Sequence, residues 1–373
     1  MQFTDSKPHY ALLDGLRGVA ALLVVWYHVF EGYQFAGGKA IIDFANHGYL
    51  AVDFFFILSG FVIGYAYDDR WGKSLTTLGF FRRRIIRLHP MVVMGAFIGA
   101  LSFAASGFER WDGARSTLGL TLTALLFGCL MLPALPGMAR DVRGNGEMFP
   151  LNGPCWSLFF EYIGNVVYAL FVRRLGTKAL AVLSAALGLA LVWFAVTNQS
   201  GYGSIGVGWT IDHVNVLGGT LRMLCPFTIG ILLSRVFRPV RTKGAFWKCS
   251  VLLVLLFHVP FIESEGALSQ NGVFEAVCIV GIFPLVVWAA ASGATTDRLS
   301  TRVCTFLGDI SYPLYIVHYP LMYLFYRWLI KTEQYTFGET WYVALAVIAA
   351  SVVLAWLCLK FYDIPLRRWL SAR

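Results

Sequence analysis

The chain has 373 residues, 58% of them hydrophobic and only 14% charged, with a mean hydropathy of +0.65 and a formal net charge of +9. An ordinary soluble domain carries about 25% charge, so this shortage excludes a soluble enzyme. The basic pI of 9.2 does not call for nucleic acid, because Lys and Arg collect on the cytoplasmic side of membrane proteins.

Apolar blocks of roughly twenty residues recur, the length that crosses about 30 Å of hydrocarbon. Candidate spans lie at 11–30, 48–67, 80–105, 116–133, 155–173, 179–197, 219–237, 246–263, 273–291, 306–330 and 340–361. The first lacks a small-residue cleavage site and holds Asp14 and Arg17, so it reads as a retained helix and not a signal peptide. Basic clusters fall at Arg70 to Arg87, Arg173 to Lys178, Arg235 to Lys248, Arg298 with Arg302, and Lys360 to Arg373; together they hold 20 of the 30 Lys and Arg. Segments 31–47, 198–218 and 264–272 hold one, Lys39. Placing the clusters inside makes the spans alternate, except that 80–154 needs an odd number of crossings and offers two candidates. The 116–133 block runs into the Pro- and Gly-interrupted stretch Leu132 to Gly137, so it is expected to be re-entrant or interfacial. The expectation is an all-α bundle of about ten transmembrane helices, one domain over 1–373, with both termini cytoplasmic. The seven cysteines form no C-x-x-C pair and read as buried apolar residues.

Ionisable groups inside a bilayer are costly and mark function by default. In the first span Arg17 and His28 are eleven residues apart, three turns with about 20° of error and roughly 16 Å of rise, so both face one groove. Asp14, one turn before Arg17, can pair with it. The bland alternative has Arg17 snorkelling and His28 as a core histidine. The second span carries Asp53 and Ser59 in an apolar run, with Gly60 and Gly64 spaced for close helix approach. In the third, Arg84 and Arg87 share a face beside Arg82 and Arg83; guanidinium groups suit phosphate, although topogenic charge explains them too. The stretch from Cys155 puts Trp156, Ser157 and Glu161 at an outer helix end, where the acid is suited to orienting His28 or binding sugar hydroxyls. The loop with Trp209, Asp212 and His213 is a weaker acceptor candidate. Late in the chain Ser311 and His318 lie seven apart on one face, flanked by Tyr312 and Tyr315.

Five stretches together resemble the acyltransferase 3 family of membrane acyltransferases: LDGLRG with His28 after ten intervening residues from Arg17, FFFILSGF at 54–61, RRRIIRLHP at 82–90, CWSLFFE at 155–161 and ISYPLYIVHYPL at 310–321. The family's usual ten-helix core agrees with the count. One departure is that Glu161 is followed by Tyr162, Ile163 and Gly164, where members often carry a second acid and a tyrosine. Some relatives append a hydrolase-like domain; a stand-alone form is expected here. The resemblance implies transfer of an acyl group, acetyl above all, from cytoplasmic acetyl-coenzyme A to a hydroxyl of a cell-surface or lipid-linked glycan, at a bacterial inner membrane and with no metal. Arg84 and Arg87, with Arg17, would hold the donor's phosphates. His28 would act as general base or transient acyl carrier, with Glu161 orienting it. Asp14, Ser59, Trp156, Ser157, Ser311, Tyr312 and His318 would line the channel or the acceptor site. Polysaccharide, peptidoglycan and secreted small-molecule acceptors all stay open, as do longer acyl groups and the oligomeric state. A transporter or flippase is the competing class; it should show repeated halves or paired broken helices, and neither is evident.

Overall fold

The computed structural model describes residues 10–37, 47–240, 242–262, 268–295 and 297–372; Lys39 lies outside them. Among these residues the chain is all helix and connection: α1 (Ala11–Ala36), α2 (Ala51–Tyr67), α3 (Thr77–Ala105), α4 (Leu118–Cys129), α5 (Cys155–Leu170), α6 (Thr177–Val196), α7 (His213–Val236), α8 (Ala245–Phe257), α9 (Gln270–Val277), α10 (Phe283–Ala291), α11 (Arg298–Thr332), α12 (Phe337–Cys358) and α13 (Ile364–Ala372). One-turn π segments, Cys278–Ile282 and Leu359–Asp363, join α9 to α10 and α12 to α13. Eight helical stretches are long and apolar enough to cross a membrane, making the protein an integral membrane bundle. Helix α11 is not among the eight, because its 35 residues, roughly 50 Å long, carry a polar seam under the other helices.

Contacts along the helices fix their relative directions. Tyr10, just before α1, packs on Phe61 and Tyr65 of α2, and Tyr27 packs on Gly48 and Tyr49, so α1 and α2 are antiparallel. Gly15, Gly18 and Gly32 of α1 face Cys304, Leu307 and Tyr326, so α1 and α11 run parallel. Helices α2 and α7 are also parallel, with Gly60 against the Phe227 carbonyl and Gly64 against Ser234. A Cβ on Gly18 or Gly60 would collide with the opposing backbone carbonyl, which is why these positions are glycine.

Helix α8 is shorter than the block expected at 246–263: it has 13 residues and ends at Phe257. It still runs from beside Leu12 to the His47 amide, the same way as α1. Helix α4 has 12 residues, roughly 18 Å, too short to cross. Gly128 packs on Ala96, about two thirds of the way along α3, and the chain then returns so that Leu151 lies against Gly99. Helix α4 therefore enters and leaves at the same end of the bundle, as its interrupted sequence suggests. Counting the rest, with α9 and α10 as one and α12 and α13 as one, gives ten helical passes among the described residues.

An ion pair holds α2 to α7. The Asp53 carboxylate accepts from Arg222 Nε at 3.1 Å and Nη2 at 2.7 Å, and the same guanidinium donates to the Val207 and Tyr49 carbonyls. Both side chains are fully buried. Breaking such a pair from one side leaves a buried charge and costs about 3–5 kcal/mol. Asp53→Leu should therefore lower the melting temperature of the purified protein in detergent, and Asp53→Leu with Arg222→Met should recover much of it. Equal melting temperatures for the wild type and the single variant would remove the pair from any stabilising role.

Candidate active site

A cavity of about 400 Å³ opens between α1, α2, α3, α5, α11 and the α12–α13 junction. Arg17, Arg84, Arg87 and Arg367 line it, together with the acids Asp14, Glu161, Asp309 and Asp363. Ser59, Ser157, Ser311 and Tyr312 also face it, and Val52, Phe55, Phe56 and Tyr315 supply apolar and aromatic wall. Sequence spacing thus found most of the polar lining, though not Asp309, Asp363 or Arg367.

Arg17 and Arg84 are each held by near neighbours. Arg17 reaches Asp14 at 2.8 Å, donates from Nε to Ser311 Oγ at 2.8 Å and from Nη2 to the Gly308 carbonyl at 3.4 Å. Ser311 lies on the same carbonyl at 2.8 Å. Arg84 donates to Glu161 Oε1 at 2.7 Å, and Ser59 Oγ donates to the same oxygen at 2.9 Å. Tyr312 donates to the Leu88 carbonyl at 2.6 Å, tying α11 to α3. Ser157 and Tyr315 share a hydrogen bond of 2.6 Å, and the Tyr315 ring meets Phe55 edge-on at 5.5 Å.

His28 does not line this cavity. It sits beyond Tyr315 in a second environment: its ring stacks on His318 at 5.3 Å, and His318 in turn packs on Tyr315 at 5.9 Å. Arg17 and His28 share one face of α1 but not the one groove expected of them, because an aromatic layer of His318 and Tyr315 stands between their chambers. His318 is fully buried, its Nδ1–H donating to the Leu314 carbonyl at 3.0 Å.

Two further expectations are corrected. Glu161 does not orient His28, because Arg84 and Ser59 occupy it on the cavity side. The acid beside the imidazole is Glu31, one turn on, whose Oε2 lies 2.6 Å from His28 Nδ1. Tyr319 and Tyr326 hydroxyls approach the same oxygen at 3.4 and 3.2 Å, and Tyr326 also donates to the His28 carbonyl at 2.6 Å. The signal was present in the sequence as a carboxylate at i+3 from the histidine. Trp156 is the second correction: it packs on Gly208 and under the Arg222 guanidinium, 5.1 Å from its ring centroid, and belongs to the α2–α7 core. Likewise Asp212 caps α7, accepting from the Asn215 amide at 2.8 Å.

With Nδ1–H donated to Glu31, the neutral His28 ring keeps Nε2 as a free base. This is the arrangement in which an acid fixes tautomer and orientation. The Glu31 side chain is 30% exposed and His28 14%, so this chamber is partly open to the surface.

Beside it, in the long connection between α4 and α5, Glu147 accepts from Tyr323 and lies near the buried Arg143, whose guanidinium covers the Tyr323 ring at 3.7 Å. Burial pushes the Glu147 carboxyl up to about 7. A raised acid favours the fold while protonated, so its contribution is full below its ordinary value near 4.5 and is lost as pH rises through about 7. Thermal stability should fall across that window, and Glu147→Gln should flatten the fall; an unchanged profile in the variant would assign the pH dependence elsewhere.

The family model described as an acyltransferase domain matches residues 10–360. The chain is 26% identical to the acyltransferase MdmB of Streptomyces mycarofaciens over 97% of this chain and 92% of that protein. It is 25% identical to the peptidoglycan O-acetyltransferase OatA of Listeria monocytogenes over 97% of this chain, which spans 56% of that longer protein. A 197-residue stretch is 36% identical to protein 2 in the picA locus of Rhizobium radiobacter, covering 51% of this chain and 96% of that one. No solved structure matches. A family match over nearly the whole chain, on an all-helical membrane bundle with the five sequence stretches in order, makes this chain a membrane acyltransferase belonging to the acyltransferase 3 family.

Proposed function

We propose that the enzyme moves an acetyl group from acetyl-coenzyme A, seated in the arginine-lined cavity, to a hydroxyl of a cell-surface or lipid-linked glycan that approaches His28 from the opposite end of the bundle. The observation that carries this reading is the His28–Glu31 pair, set one aromatic layer from a cavity with four arginines.

The donor's phosphates lie among Arg84, Arg87 and Arg17, and its thioester arm points toward Tyr315. His28 Nε2 takes the proton of the acceptor hydroxyl as its oxygen attacks the thioester carbonyl carbon. The C–S bond breaks, and the imidazolium returns its proton to the departing thiolate, so the base is restored. Glu31 steadies the imidazolium while it is charged. The acyl carbonyl reaches this centre by passing the Tyr315–Ser157 pair, which must part from Phe55 and His318 to admit it. The acetyl group and the glycan acceptor are supported by the printed names of relatives such as OatA, and a cytoplasmic donor by the basic ends of the helices.

Transfer of labelled acetyl from acetyl-coenzyme A in purified membranes tests the reading. His28→Ala should lose roughly 10²–10⁴-fold in turnover at normal expression. Glu31→Gln should lose at least about tenfold in kcat and shift the acid limb of the pH–rate profile, with the donor KM unmoved. Arg84→Ala and Arg87→Ala should raise the donor KM more than they lower kcat. Full activity in His28→Ala, or free coenzyme A release that is independent of any acceptor, would refute the assignment.

A further inference from the structure

Helix α13 lies beyond residues 10–360, the stretch that the family model matches, yet it completes a wall of the cavity. Helix α12 gives way to the π turn Leu359–Asp363, which adds a residue to one turn and re-aims everything after it. As a result Leu359, Asp363, Ile364 and Arg367 all face the cavity, whereas Arg368 is not part of its lining. Helix α13 is held against α3, where Arg82 donates to the Leu370 carbonyl at 3.4 Å. The arginine of α13 therefore stands beside the Arg84–Arg87 row.

The hydrogen bonding is incomplete in a way that points to an anion. Arg367 Nη2 meets Asp363 Oδ2 at 2.6 Å, but its Nε is buried and has no acceptor. The Nε of Arg84, a residue only 5% exposed, is equally without one. Buried N–H groups with no acceptor are costly to leave so, and a phosphate oxygen is the acceptor that a guanidinium fork takes best. The Arg367 side chain is 36% exposed against 6% for Arg84, so Arg367 stands at the mouth and Arg84 further in.

We infer that Arg367 is a donor-binding residue which, with Arg87, holds a phosphate of the donor's nucleotide end at the cavity mouth, while Asp363 keeps its guanidinium in position. This rests on the reading that the cavity takes acyl-coenzyme A.

Steady-state kinetics of Arg367→Ala, Arg367→Lys, Arg368→Ala and Arg84→Ala, with acetyl-coenzyme A varied, test it. Arg367→Ala should raise the donor KM roughly tenfold, the loss of about 1.4 kcal/mol of binding, with kcat within about twofold. Arg367→Lys should recover part of the loss, since it keeps the charge and gives up the fork. Arg368→Ala should match the wild type. A normal donor KM in Arg367→Ala, with a raised one in Arg84→Ala, would overturn this inference and leave the cavity reading intact. A normal KM in both would remove the cavity reading itself. An equal rise in Arg367→Ala and Arg368→Ala would reduce the effect to surface charge and also overturn the inference.

Discussion

The close parallel packing of α1 on α11 is the constraint on which the rest of the structure depends. Lipid offers no hydrophobic drive between helices, so contact has to come from shape and polar pairing. Gly15 and Gly18 let the two backbones meet near one end, and Gly32 makes room for the Tyr326 ring near the other. That approach is what puts Arg17 within 2.8 Å of Ser311 and lays the His28 ring over His318. A bulkier seam would hold the helices apart and separate both pairs at once. The reactive positions of α1 are therefore set by side chains that do no chemistry.

The same packing divides the interior into two chambers. On one side lies a cavity lined by arginines and carboxylates; on the other, His28 and Glu31 reach solvent. Between them stand Tyr315, Phe55 and His318 in ring contact. On the proposed reading this layer keeps acceptor-side water from the thioester until the acyl group is delivered, which matters because water is the competing nucleophile. It also gives the polar residues of α11 distinct duties: Ser311 fixes Arg17, Tyr312 fixes α3, and Tyr315 closes the cavity.

Much of this was legible in the sequence, for physical reasons. Block length and the clustering of Lys and Arg gave the bundle and the returning α4, because the thickness of a bilayer and the positive-inside bias act on every span. Helical periodicity placed Arg17, Asp14, Arg84, Arg87 and Ser311 on one chamber, because those faces are set within single helices. Partner choice between helices was not legible. Periodicity left Glu161 facing the right way for either His28 or Arg84, and only the packing of α5 against α3 decides it. Trp156 read as part of the acceptor site because an aromatic beside polar residues looks alike in a site and in a core; Arg222, far along the chain in another helix, is what claims it. Arg367 read as one more topogenic charge until the π turn aimed it inward.

Pairing explains why the acids fall where they do. A charge in this medium is costly unless an opposite charge or several hydrogen bonds meet it. Arg17 has Asp14, Arg84 has Glu161, Arg222 has Asp53, Arg235 has Asp68 and Arg367 has Asp363. On the proposed reading, with Glu161 committed to Arg84, the imidazolium that forms at His28 needs an acid of its own, and Glu31 stands beside it within the same helix. The consequence for the cavity is selectivity. Its four lining arginines face four lining carboxylates, so net charge alone draws no anion in. On the proposed reading the donor must present phosphates where guanidinium donors remain open while leaving the carboxylate pairs in place, and a simple anion lacks the reach to do so at more than one of them.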